Sequence, residues 1–155
     1  MNIRRAKIED LKSVQELNSM LFKKEVQDFD QNFDDTWAFS ENGIKCISDW
    51  IQSGNSITLV AEEAGNIVGY LAGEIREVPA WRKQSKTAEL AEIYILDEHR
   101  SRGIGGQFMK GFLDWCRGKG VKKVKLEASM KNQDALRFYK KYGLREQEVI
   151  MKMEL

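Results

Sequence analysis

Apolar residues recur at two different spacings along this chain, and each change of spacing marks a change of element. From Ile8 the positions Leu11, Val14, Leu17 and Leu21 follow the helical interval, with Glu9 and Asp10 in the first turn where the helix dipole favours acidic groups. A short strand opening at Ile3 precedes this helix. A mixed, aromatic stretch from Phe22 to Ser56 contains a second helical pattern, Ile44, Ile47, Trp50 and Ile51, ended by Ser53-Gly54-Asn55. The runs SITLVAEE and IVGYLAGEI, separated by Ala64-Gly65-Asn66, predict a hairpin with a short glycine turn. After a loop around Pro79 and Trp81, ELAEIYIL predicts another strand. Gly103, Gly105 and Gly106 open a helix with Phe108, Met109, Phe112, Leu113 and Cys116 inward, and Gly118 and Gly120 stop it. VKKVKLEAS reads as a strand, and Asn132 caps a helix carrying Ala135, Leu136, Phe138, Tyr139 and Tyr142, which Gly143 terminates. Alternation of Val149, Met151 and Met153 predicts a last strand. The order is therefore β-α-α-β-β-β-α-β-α-β, a mixed α/β arrangement with at least one parallel crossover beside an antiparallel meander.

Composition narrows the class. At 155 residues and 42% hydrophobic content the chain suits one domain built around a single core, spanning 1–155. No stretch approaches the roughly 20 apolar residues that span a bilayer, and the N-terminus lacks a signal peptide's apolar region, so the expected location is cytoplasmic with no membrane partner. Cys46 and Cys116 stand far apart, outside any Cys/His cluster, which points to neither a disulfide framework nor a metal. A net charge of +1 argues against a nucleic-acid partner, although residues 1–80 hold 8 Lys/Arg against 14 Asp/Glu and residues 81–155 hold 17 against 10. With one half at −6 and the other at +7, a cleft between them favours an anionic ligand on one side and a cationic one on the other.

The segment from Glu92 to Gly106 carries the chemistry: a strand, a turn, and a glycine-rich start to a helix. Free backbone N–H groups and the positive end of the dipole make such a start an anion site, and glycines let a phosphate approach the backbone. Arg100 and Arg102 add charge. Gly103-Ile104-Gly105-Gly106 followed by Gln107 and Phe108 fits neither a Walker loop nor the dinucleotide fingerprint, so the residues alone specify a phosphate-bearing ligand and go no further.

Arg100-Ser101-Arg102-Gly103-Ile104-Gly105 resembles the coenzyme A pyrophosphate loop of the GNAT superfamily of N-acetyltransferases, Arg/Gln-x-x-Gly-x-Gly/Ala, at the same place after a strand. Downstream, the run from Asn132 to Leu144 is similar to that family's Asn-x-x-Ala-x-x-Phe-Tyr-x-x-x-Gly-Phe signature, departing at Leu144. The resemblance implies a mostly antiparallel central sheet flanked by helices and splayed between the strand at Glu92 and the strand at Val124, with acetyl-coenzyme A as cosubstrate in the gap. It implies pantetheine on the backbone of Ile93, Tyr94 and Ile95, pyrophosphate on residues 100 to 106, Gly106 included, and Asn132 against the pantetheine arm. A homodimer is a further implication.

The implied reaction is direct acetyl transfer to a primary amine within a ternary complex. An alkyl amine with a pKa of about 10.4 must lose a proton before it attacks, so a general base is required. Glu92 is the first candidate, with Glu89 and Glu127 behind it; the competing reading of Glu92 is a solvated or ion-paired strand residue. Tyr139, the tyrosine of the signature, is implied beside the leaving thiolate, while Phe138 and Tyr142 read as core. His99 reads as a solvated turn residue and Cys116 as core. The acceptor, a small molecule or a protein amine, is implied to meet residues 22–56 and 78–87. There Asp28, Asp30, Asp34 and Asp35 with Phe29, Phe33 and Trp37 form either a lining that steers a cationic amine or a solvated acidic loop. The alternative function is a non-catalytic acyl-coenzyme A sensor or interaction module of the same fold.

Overall fold

The computed structural model describes all 155 residues. Its strands are β1 (Asn2–Arg5), β2 (Ser56–Glu63), β3 (Asn66–Arg76), β4 (Thr87–Ile95) and β5 (Lys123–Lys125), and its helices are α1 (Leu11–Asp28), α2 (Glu41–Gln52), α3 (Ile104–Gly118) and α4 (Gln133–Lys140). The strands form one sheet in chain order, antiparallel from β1 to β4 and parallel between β4 and β5.

Helices cover both faces of the sheet. Val14 and Leu17 of α1 and Ile47 and Trp50 of α2 pack against Val60, Tyr70 and Ala72 on one face. On the other, Ile104, Phe108, Met109, Phe112 and Cys116 of α3 pack against Ile57, Leu59, Leu71, Ala88 and Leu90, and Phe138, Tyr139 and Tyr142 close the edge of that cluster. The predicted hairpin forms as read: Ala64 and Gly65 both take positive φ, at 49° and 81°, the combination that a tight two-residue turn between twisted strands demands.

Two features of β4 position the site. Its pairing with β3 slips between Ala72 and Gly73, because Ala72 faces Glu92 while Gly73 faces Leu90. Ala91 is therefore a bulged extra residue, and side chains beyond it change faces. Ala88 and Leu90 lie in the α3 core, whereas Ala91 and Tyr94 pack with the α1–α2 core. The second feature is that β5 pairs with β4 only at Thr87, Ala88 and Glu89, so the outer edge of β4 from Leu90 onward has no strand partner.

The C-terminal tail departs from expectation. Residues 149–153 form no strand, and Val149, Ile150, Met151 and Met153 are exposed. Val149, Met151, Met153 and Leu155 share one face, but all four are exposed and no element covers them. Ion pairs from Arg82 to Glu148 and from Lys152 to Asp30 hold it instead. The strand read from VKKVKLEAS is likewise confined to Lys123–Lys125.

Candidate functional site

The turn between β4 and α3 is built from unusual backbone. Ser101 and Gly103 both adopt positive φ, 59° and 82°, on either side of Arg102, which turns successive N–H groups toward one concavity. None of Ser101, Arg102 and Gly103 donates a backbone hydrogen bond, and the first N–H group bonded back into the helix is that of Gln107, to Gly103 O at 3.2 Å. With the unpaired N–H groups of the first helical turn, residues 101 to 106 present six consecutive free donors at the positive end of a 15-residue helix.

The charged side chains of the turn are tethered. Arg102 makes a two-pronged pair with Glu63, at 2.7 and 3.2 Å, and His99 Nε2 meets the same carboxylate at 3.0 Å. Arg100 donates from Nε to Ile95 O at 2.9 Å, pairs with Asp97 at 2.8 Å, and lies 5.4 Å from the ring centroid of Tyr94. His99 is thus half-buried and paired, where the sequence suggested solvation, because the β2–β3 hairpin end carries Glu63 up to it.

Glycine here serves close packing as well as a bare backbone. A Cβ on Gly105 would stand 3.1 and 3.2 Å from two ring carbons of Phe138, and one on Gly106 would stand 3.1 Å from the Tyr142 hydroxyl. The two signatures are therefore in direct contact: the aromatic face of α4 rests on the glycine start of α3. Asn132 caps α4, its side-chain oxygen accepting from Ala135 N at 3.0 Å, which leaves its amide NH2 as the donor.

Glu92 has no ion pair, and protein donors hold one of its two oxygens. The bulge at Ala91 turns it toward α1, where its Oε2 accepts from the Tyr70 hydroxyl at 2.5 Å and from Asn18 Nδ2 at 2.8 Å. Burial raises its carboxyl above the usual carboxylate range, and those two hydrogen bonds oppose the rise. Glu89, by contrast, meets Arg76 at 3.1 Å and Lys125 at 3.4 Å. Glu127 lies exposed beyond the end of β5.

Tyr139 sits at the margin of the α3 core with no protein partner for its hydroxyl. Burial pushes its pKa up to about 12, and the negative charge of Glu25 adds to the rise. Glu25 belongs to α1, which packs on the opposite face of the sheet from the cluster that Tyr139 closes. Of the four aspartates in the acidic run, Asp28 pairs with Lys24, Asp30 binds Asn32 and Lys152, and Asp34 binds the Thr36 backbone and hydroxyl. Phe22 stacks with Trp37 and meets Phe33 edge-on.

Sequence reasoning missed Asn18, Tyr70, Glu25 and Glu63. Asn18 had a signal, being a polar residue inside the apolar stripe of the first helix; Tyr70 in a strand and the carboxylates of Glu25 and Glu63 had none.

The chain is similar to known proteins in sequence and in fold. The model of the acetyltransferase (GNAT) family matches residues 19–144. An uncharacterized N-acetyltransferase of Methanocaldococcus jannaschii is 31% identical over 91 residues, 59% of this chain and 40% of the relative. An uncharacterized N-acetyltransferase of Archaeoglobus fulgidus is 31% identical over 58% of this chain and 60% of its own length. The matched stretches thus span less than two thirds of these curated relatives. Among solved structures, a tetramutant of the BH1408 protein from Bacillus halodurans superposes with a TM-score of 0.84 at 23% identity, covering 100% of both chains. The aminoglycoside acetyltransferase AAC(6')-Iy, in complex with a bisubstrate analogue made from coenzyme A, superposes with a TM-score of 0.73 at 19% identity over 99% of this chain and 97% of its own. These likenesses establish the fold, and the family match across residues 19–144 establishes that the chain belongs to the acetyltransferase (GNAT) family.

Proposed function

We propose that this protein transfers an acetyl group from acetyl-coenzyme A to a primary amine by direct attack within a ternary complex. The observation that carries the reading is the adjacency of the partnerless edge of β4 and the six free N–H groups of residues 101 to 106. An extended amide-bearing arm pairs with a strand edge, and a pyrophosphate takes N–H donors at a helix start, so the two features suit the two ends of one ligand.

In this reading the backbone of Ile93, Tyr94 and Ile95 binds the pantetheine amides, Asn132 donates to the same arm, and residues 100 to 106 hold the pyrophosphate. Arg100 and Arg102, held near the turn by Asp97 and Glu63, supply positive charge without a search through side-chain conformations. Glu92 removes a proton from the acceptor ammonium, directly or through water. A carboxyl raised by burial is better matched to that task at neutral pH than an exposed one. The amine nitrogen then bonds to the thioester carbonyl carbon, the C–S bond breaks with its electron pair on sulfur, the nitrogen gives up its second proton to that thiolate directly or through water, and the Tyr139 hydroxyl donates a hydrogen bond to the sulfur as it leaves. With its pKa at about 12, Tyr139 stays protonated and acts as a hydrogen-bond donor more than as a full acid. The catalytic reading is favoured over a binding module because the open half of β4 carries a carboxyl raised by burial, Glu92, and Tyr139 keeps a hydroxyl with no protein partner. A cytoplasmic setting suits the supply of acetyl-coenzyme A and the two free cysteines, and no helix is long and apolar enough to cross a membrane.

Thermal denaturation tests the ligand. Coenzyme A or acetyl-coenzyme A at about one hundred times its Kd is expected to raise the melting temperature by roughly 5–10 °C, while ATP and NAD leave it unchanged. An equal rise with ATP would mean that the site takes phosphates without the pantetheine arm.

A further inference from the structure

Three departures from a simple apolar core converge on one oxygen atom. Asn18 is fully buried in the otherwise apolar stripe of α1, where a leucine would pack without cost. Tyr70 is fully buried beneath it on β3 and brings a hydroxyl into the same core. Ala91 bulges from β4 and so turns Glu92 onto their face rather than onto the face of Leu90. The result is that Glu92 Oε2 accepts from Tyr70 at 2.5 Å and from Asn18 Nδ2 at 2.8 Å, while Asn18 Nδ2 also lies 3.3 Å from the Tyr70 hydroxyl. Turning the Asn18 amide over would aim its oxygen at a carboxylate, so the donor assignment follows from the partners. Glu92 Oε1 has no protein donor. Nor is it one of the sealed polar atoms without a partner, which are Asn18 Oδ1, Thr58 Oγ1, Ser85 Oγ, His99 Nδ1 and Trp115 Nε1, so Oε1 keeps contact with solvent.

We propose that Tyr70 and Asn18 are positioning residues for proton removal from the acceptor: they clamp Glu92 Oε2 and leave Oε1 as the one oxygen that receives the proton. This rests on the reading of Glu92 as the base. A carboxylate with both oxygens free rotates about its last torsion and shares its charge between two orientations. Clamped by two donors, it points one lone-pair set in one direction, and the donors stabilise the charged form against the burial that raises it.

The other groups around Glu92 do not duplicate this role. From α2, Cys46 faces it with a thiol pushed up to about 11 by burial and by the charges of Glu74 and Glu92. Glu74, two residues beyond Ala72 on β3, is itself occupied by Trp50 Nε1 at 3.1 Å and Arg76 at 3.0 Å. Tyr94, two residues along β4 and opposite Tyr70 in the ladder, lies under Arg100. No cation pairs with Glu92, so its titration is governed by burial and by these two donors.

The test uses Tyr70→Phe, which deletes the hydroxyl and keeps the ring, and Asn18→Leu, which deletes the amide at similar volume. In protein carrying 13C-labelled glutamate, the Glu92 carboxyl signal, assigned by its loss in Glu92→Gln, is followed against pH. In parallel, kcat/KM is followed against pH with the best acceptor among spermidine, an aminoglycoside, free lysine and a peptide amine. Tyr70→Phe is expected to move both the carboxyl titration and the lower limb of the rate profile to higher pH by about one unit, with the melting shift from acetyl-coenzyme A intact. Asn18→Leu moves them the same way, and carries the test alone should Tyr70→Phe not fold. A lower limb that stays in place while the rate falls evenly at every pH makes the two residues structural and overturns the proposal, whether or not the carboxyl signal moves. If the limb survives in Glu92→Gln, the base reading itself is wrong and this inference falls with it. If the limb disappears in Glu92→Gln yet stays in place in both other variants, only this inference falls.

Discussion

The two halves of β4 have the same neighbours in sequence and opposite surroundings in space. From Thr87 to Glu89 the strand is paired on both edges, to β3 and to β5, with Ala88 sealed beneath α3. From Glu92 to Ile95 it is paired on one edge only, and its side chains have exchanged faces across the bulge at Ala91. Parallel pairing needs a crossover, here α3, and the crossover returns a strand of only three residues. Where β5 stops, the edge has no strand partner and only Ile95 O is taken, by Arg100; where β5 pairs, the strand is scaffold. A single strand thus supplies both rigidity and an open edge, and the bulge separates the two roles.

That division can be broken experimentally, and the largest effect is expected at the turn after the open half. Gly105→Val places branched carbons against Phe138 and over the free N–H groups, and should abolish the melting shift caused by coenzyme A altogether. A variant that still responds fully to coenzyme A would mean that the turn does not hold the pyrophosphate. Next in size is Glu92→Gln at the bulge. Loss of a general base is worth about 10²–10⁴-fold in rate near neutral pH, with part of the rate recovered at alkaline pH where free amine is abundant. Because the Glu92 pKa is raised, the lower limb should lie above the range of an exposed carboxylate, the rate rising as the carboxyl loses its proton. Smaller again is Tyr139→Phe, for which kcat should fall about tenfold, the worth of one hydrogen bond of ~1.4 kcal/mol made in the transition state, with coenzyme binding nearly unchanged. In the paired half the expectation reverses. Ala88→Leu overfills a sealed position and should cost about 1–3 kcal/mol of stability, seen as a melting temperature lower by several degrees, while the folded fraction turns over at the wild-type rate.

The turn after β4 was legible in the sequence because its requirements are local: glycine at a positive φ, a helix start, and a signature at fixed spacing. The hairpin was legible for the same reason. Glu92 was legible as a position but not as an environment. Strict alternation from Ala88 and Leu90 puts Glu92 on the α3 face, and only the ladder register with β3 reveals the extra residue that moves it toward α1. Its partners Asn18 and Tyr70 lie 74 and 22 residues away along the chain, a separation that no local pattern encodes. The last strand failed on the opposite count: alternation at Val149, Met151 and Met153 was present, but a strand also needs a covered face and a long enough partner, and three residues of β5 supply neither. The acidic run illustrates a third limit, since charge spacing does not reveal that Asp28, Asp30 and Asp34 are spent on Lys24, Lys152 and the Thr36 turn.

The central claim, that the open half of β4 brings acetyl-coenzyme A to an amine, is tested most directly by turnover. Release of free thiol from acetyl-coenzyme A is measured with spermidine, an aminoglycoside, free lysine and a peptide amine as acceptors, and the products are weighed by mass spectrometry. The account predicts thiol release that depends on one or more of the amines, with an acetylated amine formed in equal amount and no acetylated protein accumulating when the amine is withheld. Coenzyme A binding with no amine-dependent release across a wider panel of primary amines, or an acetyl group lodged on the protein as an intermediate, would contradict it.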